Sequence, residues 1–467
     1  MRRTIAWVAS IVAFAVVVGL VVLLGLRAAF GVEVAPAPAV AAAPEPLVAL
    51  GPAEDADDGD GVDVPPELPG EVAAILDPAV AGPGMGNTVG VVSDAATGQV
   101  LWDGGAQTPA TPASTTKILT AAAALLALDP EQTQPTRVLA GARPGEVVLQ
   151  GTGDETLSAS GDGAYTSAAS MQDLADQVSR ALGGQRVTTV LVDMSGAADT
   201  FHPSWDRMGL EDGYITPIEP VAVDAGRAAP DALPRSATPA LDAGRVLAAQ
   251  LGVARVAAAQ QAPPADAQVL GEVRSAPLIT RVNDMLVHSD NVMAEQIGRE
   301  VAAATGRPAT FRGAADAVLA VLADHGLLVD GGASLQDVSG LSPDNRIRPV
   351  QLDRVLRAAA GDATAPAPAE DSDADAGEVC AALSHLIDGL PVAAVSGTLA
   401  DRYAAGNPGA GWVRAKTGTL DGVAALAGVV ATEGGRVLTF TLLSNEADVA
   451  GARAGADSAI GAVRTLG

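Results

Sequence analysis

The sequence predicts an α+β fold, helices accompanying an antiparallel sheet, and three observations carry that expectation. Residues 87–93 and 99–103 read as two strands around the polar turn Asp94-Ala95-Ala96-Thr97-Gly98. Residues 411–417, 422–431 and 436–444 read as three successive strands with glycine-rich turns, and residues 449–466 as a closing helix. Between these ends, runs of helical character recur at 114–128, 278–305 and 314–325.

In chain order, Met1 to Arg3 is basic and precedes an almost unbroken apolar span over 4–26. About 20 apolar residues suffice to cross a bilayer, so residues 1–27 are expected to be an uncleaved membrane anchor, or else a signal segment cut near Ala41-Ala42-Ala43. The basic flank before the span and the acidic chain after it place the N-terminus in the cytoplasm and the rest outside. Residues 28–74 are rich in Pro, Ala and acid and read as a disordered tether. Strand-like runs follow at 137–140, 146–150 and 186–193, then a helical stretch at 243–251.

The net charge is -27. That excludes nucleic acid and anionic headgroups as natural partners of the soluble part. Cys380 is the only cysteine, so no intrachain disulfide can form. The four histidines, His202, His288, His325 and His385, have no metal-ligand spacing, and neither a metal nor a cofactor is expected.

One stretch organises the chemistry: Ser114-Thr115-Thr116-Lys117, after Pro112, at the start of an alanine-rich run that Asp129-Pro130 stops. Ser114 is expected on the first turn of a helix, which puts the Lys117 amine within reach of its hydroxyl. Among all 28 Lys+Arg only two are lysines, Lys117 and Lys416. Lysine can release its proton inside a protein and arginine cannot. To act as base near neutral pH, Lys117 must fall from about 10.4 to roughly 7 or 8, about 3–5 kcal/mol of selective stabilisation. Desolvation and a second cation can supply that, and Lys416 is the evident second cation. A bland alternative makes Ser114 a helix cap and Lys117 a surface residue. Two further motifs count against it: Ser289-Asp290-Asn291, which alone reads as a turn or cap, and Lys416-Thr417-Gly418 on a strand at a sheet edge.

In that order, S-x-x-K, S-D-N and K-T-G form the set shared by penicillin-binding proteins and class A β-lactamases. The long stretch between Ser114 and Ser289 makes the chain resemble the class C, low-molecular-mass penicillin-binding proteins, the D-Ala-D-Ala carboxypeptidase/endopeptidase family S13. Segments 151–157, 337–342 and 396–399 are also similar to segments of that family, although Val338 stands where glycine is expected. The resemblance implies a transpeptidase-type catalytic domain, shared with serine β-lactamases, formed by 75–140 and 272–467. It also implies one or more mainly β domains inserted over 141–271.

The same resemblance implies the site: Ser114 as nucleophile, Lys117 as its base, and Ser289 relaying a proton to the leaving amine. Asn291, Lys416, Thr417, Gly418 and Thr419 would bind substrate, with the Ser114 and Thr419 backbone N–H groups as oxyanion hole. The implied partners are peptidoglycan stem peptides ending in D-Ala-D-Ala and β-lactam inhibitors. Carboxypeptidase and endopeptidase action use the same atoms and are not ranked by sequence. Two alternatives remain: a β-lactamase, distinguished by fast deacylation, and a catalytically idle wall-binding scaffold, which has no reason to keep lysine at these two places.

Overall fold

The computed structural model describes residues 64–259, 261–362, 364–365 and 375–467. The expected anchor over 1–27, and the tether as far as residue 63, lie outside them. The last part of the expected tether is helical. Helix α1, Leu68–Val80, buries Leu68, Val72 and Leu76 at four-residue spacing. One apolar stripe was enough to order a segment whose composition reads as tether. Strands β1 (Asn87–Asp94) and β2 (Val100–Gly104) form the expected hairpin, its turn tied by Asp94 Oδ1 accepting from the Ala96 and Thr97 N–H groups. A 3₁₀ turn, Ala113–Thr116, then leads into α2, Lys117–Ala127.

The next stretch holds β3 (Pro135–Ala140), β4 (Glu146–Gly151), β5 (Asp154–Leu157), α3 (Met171–Leu182), β6 (Thr189–Val192), β7 (Val221–Val223), α4 (Pro239–Gln250), β8 (Val256–Ala258) and β9 (Val269–Arg274). Five of these strands form a sheet in the order β8-β6-β4-β3-β9. Its β4–β6 and β6–β8 pairs are parallel, whereas β3 pairs antiparallel with both β4 and β9. The expectation of a mainly β insert is therefore corrected. Each parallel pair needs a crossover, and α3 and α4 supply the two crossovers while burying Met171, Leu174 and Val178, and Ala243 and Leu247, in the insert's own core. The sheet also starts at Pro135, so β3 pairs here and not with the sheet of the first segment.

After β9 come α5 (Leu278–His288), α6 (Asn291–Ala304), α7 (Phe311–Asp324), α8 (Pro349–Ala359) and α9 (Ala376–Asp388), which bears the buried free thiol of Cys380. The run expected to be helical over 278–305 is two helices, broken at Ser289, whose φ of 56° is left-handed. Strands β10 (Val413–Leu420), β11 (Val423–Ala431) and β12 (Val437–Asn445) and helix α10 (Val449–Val463) close the chain. The main sheet runs β10-β11-β12-β1-β2, all antiparallel. Every residue of β11 is buried because both faces are covered. Ala425, Ala427 and Val429 pack in the core that holds α2, while Leu426 and Val430 pack with α1 and α10. The α+β architecture is thus the expected one, and it leaves β10 with a free edge beside the Ser114 turn.

Candidate active site

The two threonines between Ser114 and Lys117 tie the turn: Thr115 Oγ1 donates to Pro112 O at 2.7 Å and Thr116 Oγ1 to Ala113 O at 2.9 Å. Ala113 is left-handed at φ 47°, and Gly340 packs so tightly against it that an added Cβ would lie 1.9 Å from Ala113 O. The loop bearing Ser339 and Gly340 thereby fixes the Ser114 turn. Gly418 on β10 closes it from the opposite side, since a Cβ there would lie 2.6 Å from Pro112 O.

Lys117 is wholly buried, and its Nζ lies 3.0 Å from Ser114 Oγ, 2.6 Å from Asn291 Oδ1 and 2.7 Å from Ser339 O. Two of these partners are oxygens that only accept. A neutral amine must spend both N–H bonds on them, which turns its lone pair toward the Ser114 hydroxyl. The Asn291 amide is oriented from outside the catalytic core, because its Nδ2 donates to the backbone oxygen of Tyr214 at 2.9 Å. Burial lowers the Lys117 pKa from 10.5 to about 8, against the pull of Asp290, Asp337 and Glu295. That fall corresponds to about 3 kcal/mol in favour of the neutral amine. Burial is the largest cause of that fall.

Across the cleft, Lys416 Nζ donates to Ser289 Oγ at 2.8 Å and to Thr417 O at 3.0 Å. Burial first, and then the charge of Lys117, hold its pKa well below the ordinary value. Ala415 N–H is spent on Pro391 O rather than on β11. By strand alternation, the N–H groups of Thr417 and Thr419 leave the same free edge. Thr417 Oγ1 lies 2.8 Å from Thr398 Oγ1, and Arg453 Nη2 donates to Thr419 Oγ1 at 2.5 Å.

The middle residue of the Ser-Asp-Asn motif is a clamp. Asp290 Oδ1 caps α6 through the Val292 and Met293 N–H groups, at 2.9 and 3.1 Å. Its Oδ2 accepts from Tyr165 OH at 2.7 Å, Arg235 Nη2 at 2.8 Å and Arg227 Nη2 at 3.4 Å. Burial alone would raise the Asp290 pKa, but the two guanidiniums outweigh it and hold the carboxyl well below the usual range. Arg235 Nε also donates to Gly213 O at 2.8 Å, one residue before the carbonyl that orients Asn291.

The structure therefore brings Ser114, Lys117 and Asn291 together, sets Ser289 against Lys416, and lays Thr417, Gly418 and Thr419 along the free edge. Sequence reasoning missed Tyr165, Tyr214, Arg227, Arg235 and Arg453, which lie far from the motifs in the chain. It also passed over Glu295, whose position four residues after Asn291 on one helix was a usable signal. Glu295 Oε1 accepts from the Val338 and Ser339 N–H groups at 3.1 and 2.8 Å, and burial, with Asp337 beside it, pushes its pKa up to about 8. Among the described residues, no group of three or more His, Cys, Asp or Glu side chains could hold a metal ion.

The profile of the D-Ala-D-Ala carboxypeptidase 3 (S13) family matches residues 72–238 and 230–465. The chain is 46% identical over 407 residues to carboxypeptidase DacB of Mycolicibacterium smegmatis, covering 85% of this chain and 84% of the relative. It is 46% identical over 387 residues to a carboxypeptidase of Mycobacterium tuberculosis, covering 80% of each. The crystal structure of penicillin-binding protein 4 from Haemophilus influenzae superposes with a TM-score of 0.63 at 22% identity, over 80% of this chain and 93% of that one, and so shares the fold. The chain belongs to the S13 family of D-Ala-D-Ala carboxypeptidases and is a serine-type enzyme of that class.

Proposed function

We propose that the enzyme cuts the D-Ala-D-Ala bond of peptidoglycan stem peptides through an acyl-enzyme on Ser114, and that β-lactams acylate the same oxygen. The observation that carries this reading is the threefold coordination of Lys117 Nζ, which aims its lone pair at the nucleophile. Ser114 Oγ attacks the carbonyl carbon as its proton passes to Lys117. The backbone N–H groups of Ser114 and Thr419 receive the oxyanion, each worth about 3–4 kcal/mol. The C–N bond then breaks, and Ser289, polarised by Lys416, relays to the departing amine the proton that Lys117 took, giving its own proton and recovering that one. Asn291 holds the substrate amide, and Thr417, Gly418 and Thr419 offer the free edge to the substrate backbone and its carboxylate. Water finally hydrolyses the acyl ester.

The two amines share one charge in this scheme. While Lys117 is an ammonium it repels a proton from Lys416. A substrate carboxylate arriving on the strand side favours a charged Lys416, and so favours a neutral Lys117. The apolar, basic-flanked N-terminus supports a catalytic part held outside the cell membrane by residues 1–27. Cutting of D-Ala cross-links uses the same atoms and is included in the proposal.

The test is to incubate the full chain with a fluorescent penicillin, and separately with muropeptides read by mass spectrometry. The wild type is expected to hold a long-lived label and to release D-Ala. Ser114→Ala is expected to do neither, and a Ser114→Ala protein that keeps either activity overturns the assignment. Rapid turnover of the penicillin without D-Ala release would make the enzyme a β-lactamase.

A further inference from the structure

Helix α6 borders a second cleft, of about 490 Å³, that shares no residue with the Ser114 site. Asn291 and Glu295 lie on the side of α6 toward Lys117, whereas Gln296, Arg299, Glu300 and Ala303 follow at helical spacing on the side that lines the cleft. The insert supplies the facing wall through residues 151–153 and 218–220. Hydrogen bonds fix how the amides of this cleft are turned. Gln132 Nε2 donates to Glu300 Oε2 at 2.9 Å, and Gln296 Nε2 to Glu219 O at 2.7 Å. Both partners are oxygens that only accept, so each Oε1 is left without a protein partner. A Cβ on Gly153 would lie 3.2 Å from Gln296 Oε1, so glycine keeps the space before that oxygen open. Glu219 adds a third acceptor: its Oε2 takes the Ala240 N–H at 2.9 Å, while its Oε1 has no partner and no cation pairs with it among the described residues. Burial raises its pKa, and only that backbone N–H opposes the rise. The other charges of the cleft are already answered. Glu300 is paired with Arg281, and Arg299 turns away to donate to Ala198 O and Asp199 O, its Nε sealed from solvent. The three unpartnered oxygens of Gln132, Gln296 and Glu219 are not sealed.

We propose that this cleft binds an aliphatic primary ammonium, carried by a free diamine or by the side chain of a diamino acid in a wall peptide. An ammonium has three donors and no acceptor, which suits a wall that offers three free acceptors. Glu219 becomes its counter-ion, and the methylene stem lies along Leu128, Ile218 and Pro220. A carboxylate or phosphate would meet Glu219 and Glu300 instead. An occupant bonded to both Gln296 and Glu219 braces the insert against α6. The same two segments hold Asn291, which begins α6 and is oriented by the backbone oxygen of Tyr214. Nothing in the cleft depends on Ser114, so its occupancy and the peptidase reading stand or fall separately.

The experiment titrates the full chain with cadaverine by calorimetry at about pH 8.5, which favours an ionised carboxyl while an alkylamine keeps its proton. The wild type, with or without penicillin, should take up one cadaverine per chain with a dissociation constant of about 1 mM or tighter. Glu219→Gln keeps the bond from Ala240 and removes the charge, and should weaken binding about 10- to 100-fold. Gln132→Leu should weaken it about 2- to 10-fold. Both variants should be labelled by penicillin at the wild-type rate, since neither residue lies in the Ser114 cleft. A muropeptide with a free side-chain amine that displaces cadaverine, while its N-acetylated form does not, assigns the cleft to wall peptides. Displacement by neither assigns it to a free diamine. No saturable binding below about 10 mM, unchanged affinity in either variant, or displacement by the N-acetylated form overturns the proposal. So does tighter binding of N-acetylglucosamine or calcium chloride than of cadaverine.

Discussion

Lys117 and Lys416 are both fully buried and line the same cleft, yet their surroundings are opposite. Lys117, on the helical side, is held up by three acids, Asp290, Asp337 and Glu295, and settles at about 8. Lys416, on the strand side, is held well below its ordinary value by burial and then by the charge of Lys117, with no acid opposing them. Burial sets the direction for both amines, and the neighbouring charges set how far each goes. The acids on the helical side keep Lys117 near working pH, where the proton of an amine can be both taken and returned. Their absence on the strand side leaves Lys416 as the amine that, in the proposed mechanism, a substrate carboxylate would stabilise as a cation. Lys117→Arg is the most severe way to break this pairing. Arginine keeps a cation but cannot give up its proton. The rate of penicillin labelling should fall about 10²- to 10⁴-fold, the span of general base catalysis. Labelling of Lys117→Arg at the wild-type rate would remove Lys117 from that role.

The strand side was the more legible in sequence. Lys416-Thr417-Gly418 lies in a run whose alternation and glycine-rich turns mark an edge hairpin, and local pattern decides its geometry. The helical side was legible only as residue types. Two lysines among many arginines marked the chemistry, and Ser-x-x-Lys gave the spacing. Nothing local announced that Ser289 would break a helix, or that Asp290 would be clamped by Tyr165, Arg227 and Arg235. Those contacts join residues remote in the chain, and a buried ion pair leaves no periodicity to read. The insert was misjudged for a related reason. Short strands were noticed, but the apolar spacing of Met171, Leu174 and Val178 was not read as a crossover helix.

The clamp gives the next largest effect, on stability. Arg235→Gln leaves the buried Asp290 carboxylate with only Arg227 at 3.4 Å as ionic partner. Removing one partner of such a pair costs about 3–5 kcal/mol. Asp290 has a depressed pKa in the folded state, so its contribution is fully present above about pH 4 and fades only as pH falls toward its folded value. The variant should therefore melt several degrees lower throughout the neutral range, with the gap narrowing in strong acid. Thermal unfolding of Arg235→Gln at pH 7 that matches the wild type would mean that Asp290 does not depend on the insert.

Glu295→Gln makes the finest cut between the two sides, because it removes one acid from around Lys117 and nothing from around Lys416. With its pKa pushed up to about 8, Glu295 is mostly protonated at pH 7, so glutamine copies its neutral form and can still accept from the Val338 and Ser339 N–H groups. As pH rises through about 8 the wild-type carboxyl ionises, and its charge favours the Lys117 ammonium. The variant lacks that charge, so its lysine loses the proton earlier. The acylation rate, which climbs as Lys117 becomes neutral, should reach half its plateau at a lower pH in Glu295→Gln than in the wild type. Below pH 7 the variant should be no slower than the wild type. The pH profile of penicillin labelling measures this directly. A midpoint that stays put or rises would show that Glu295 does not tune Lys117.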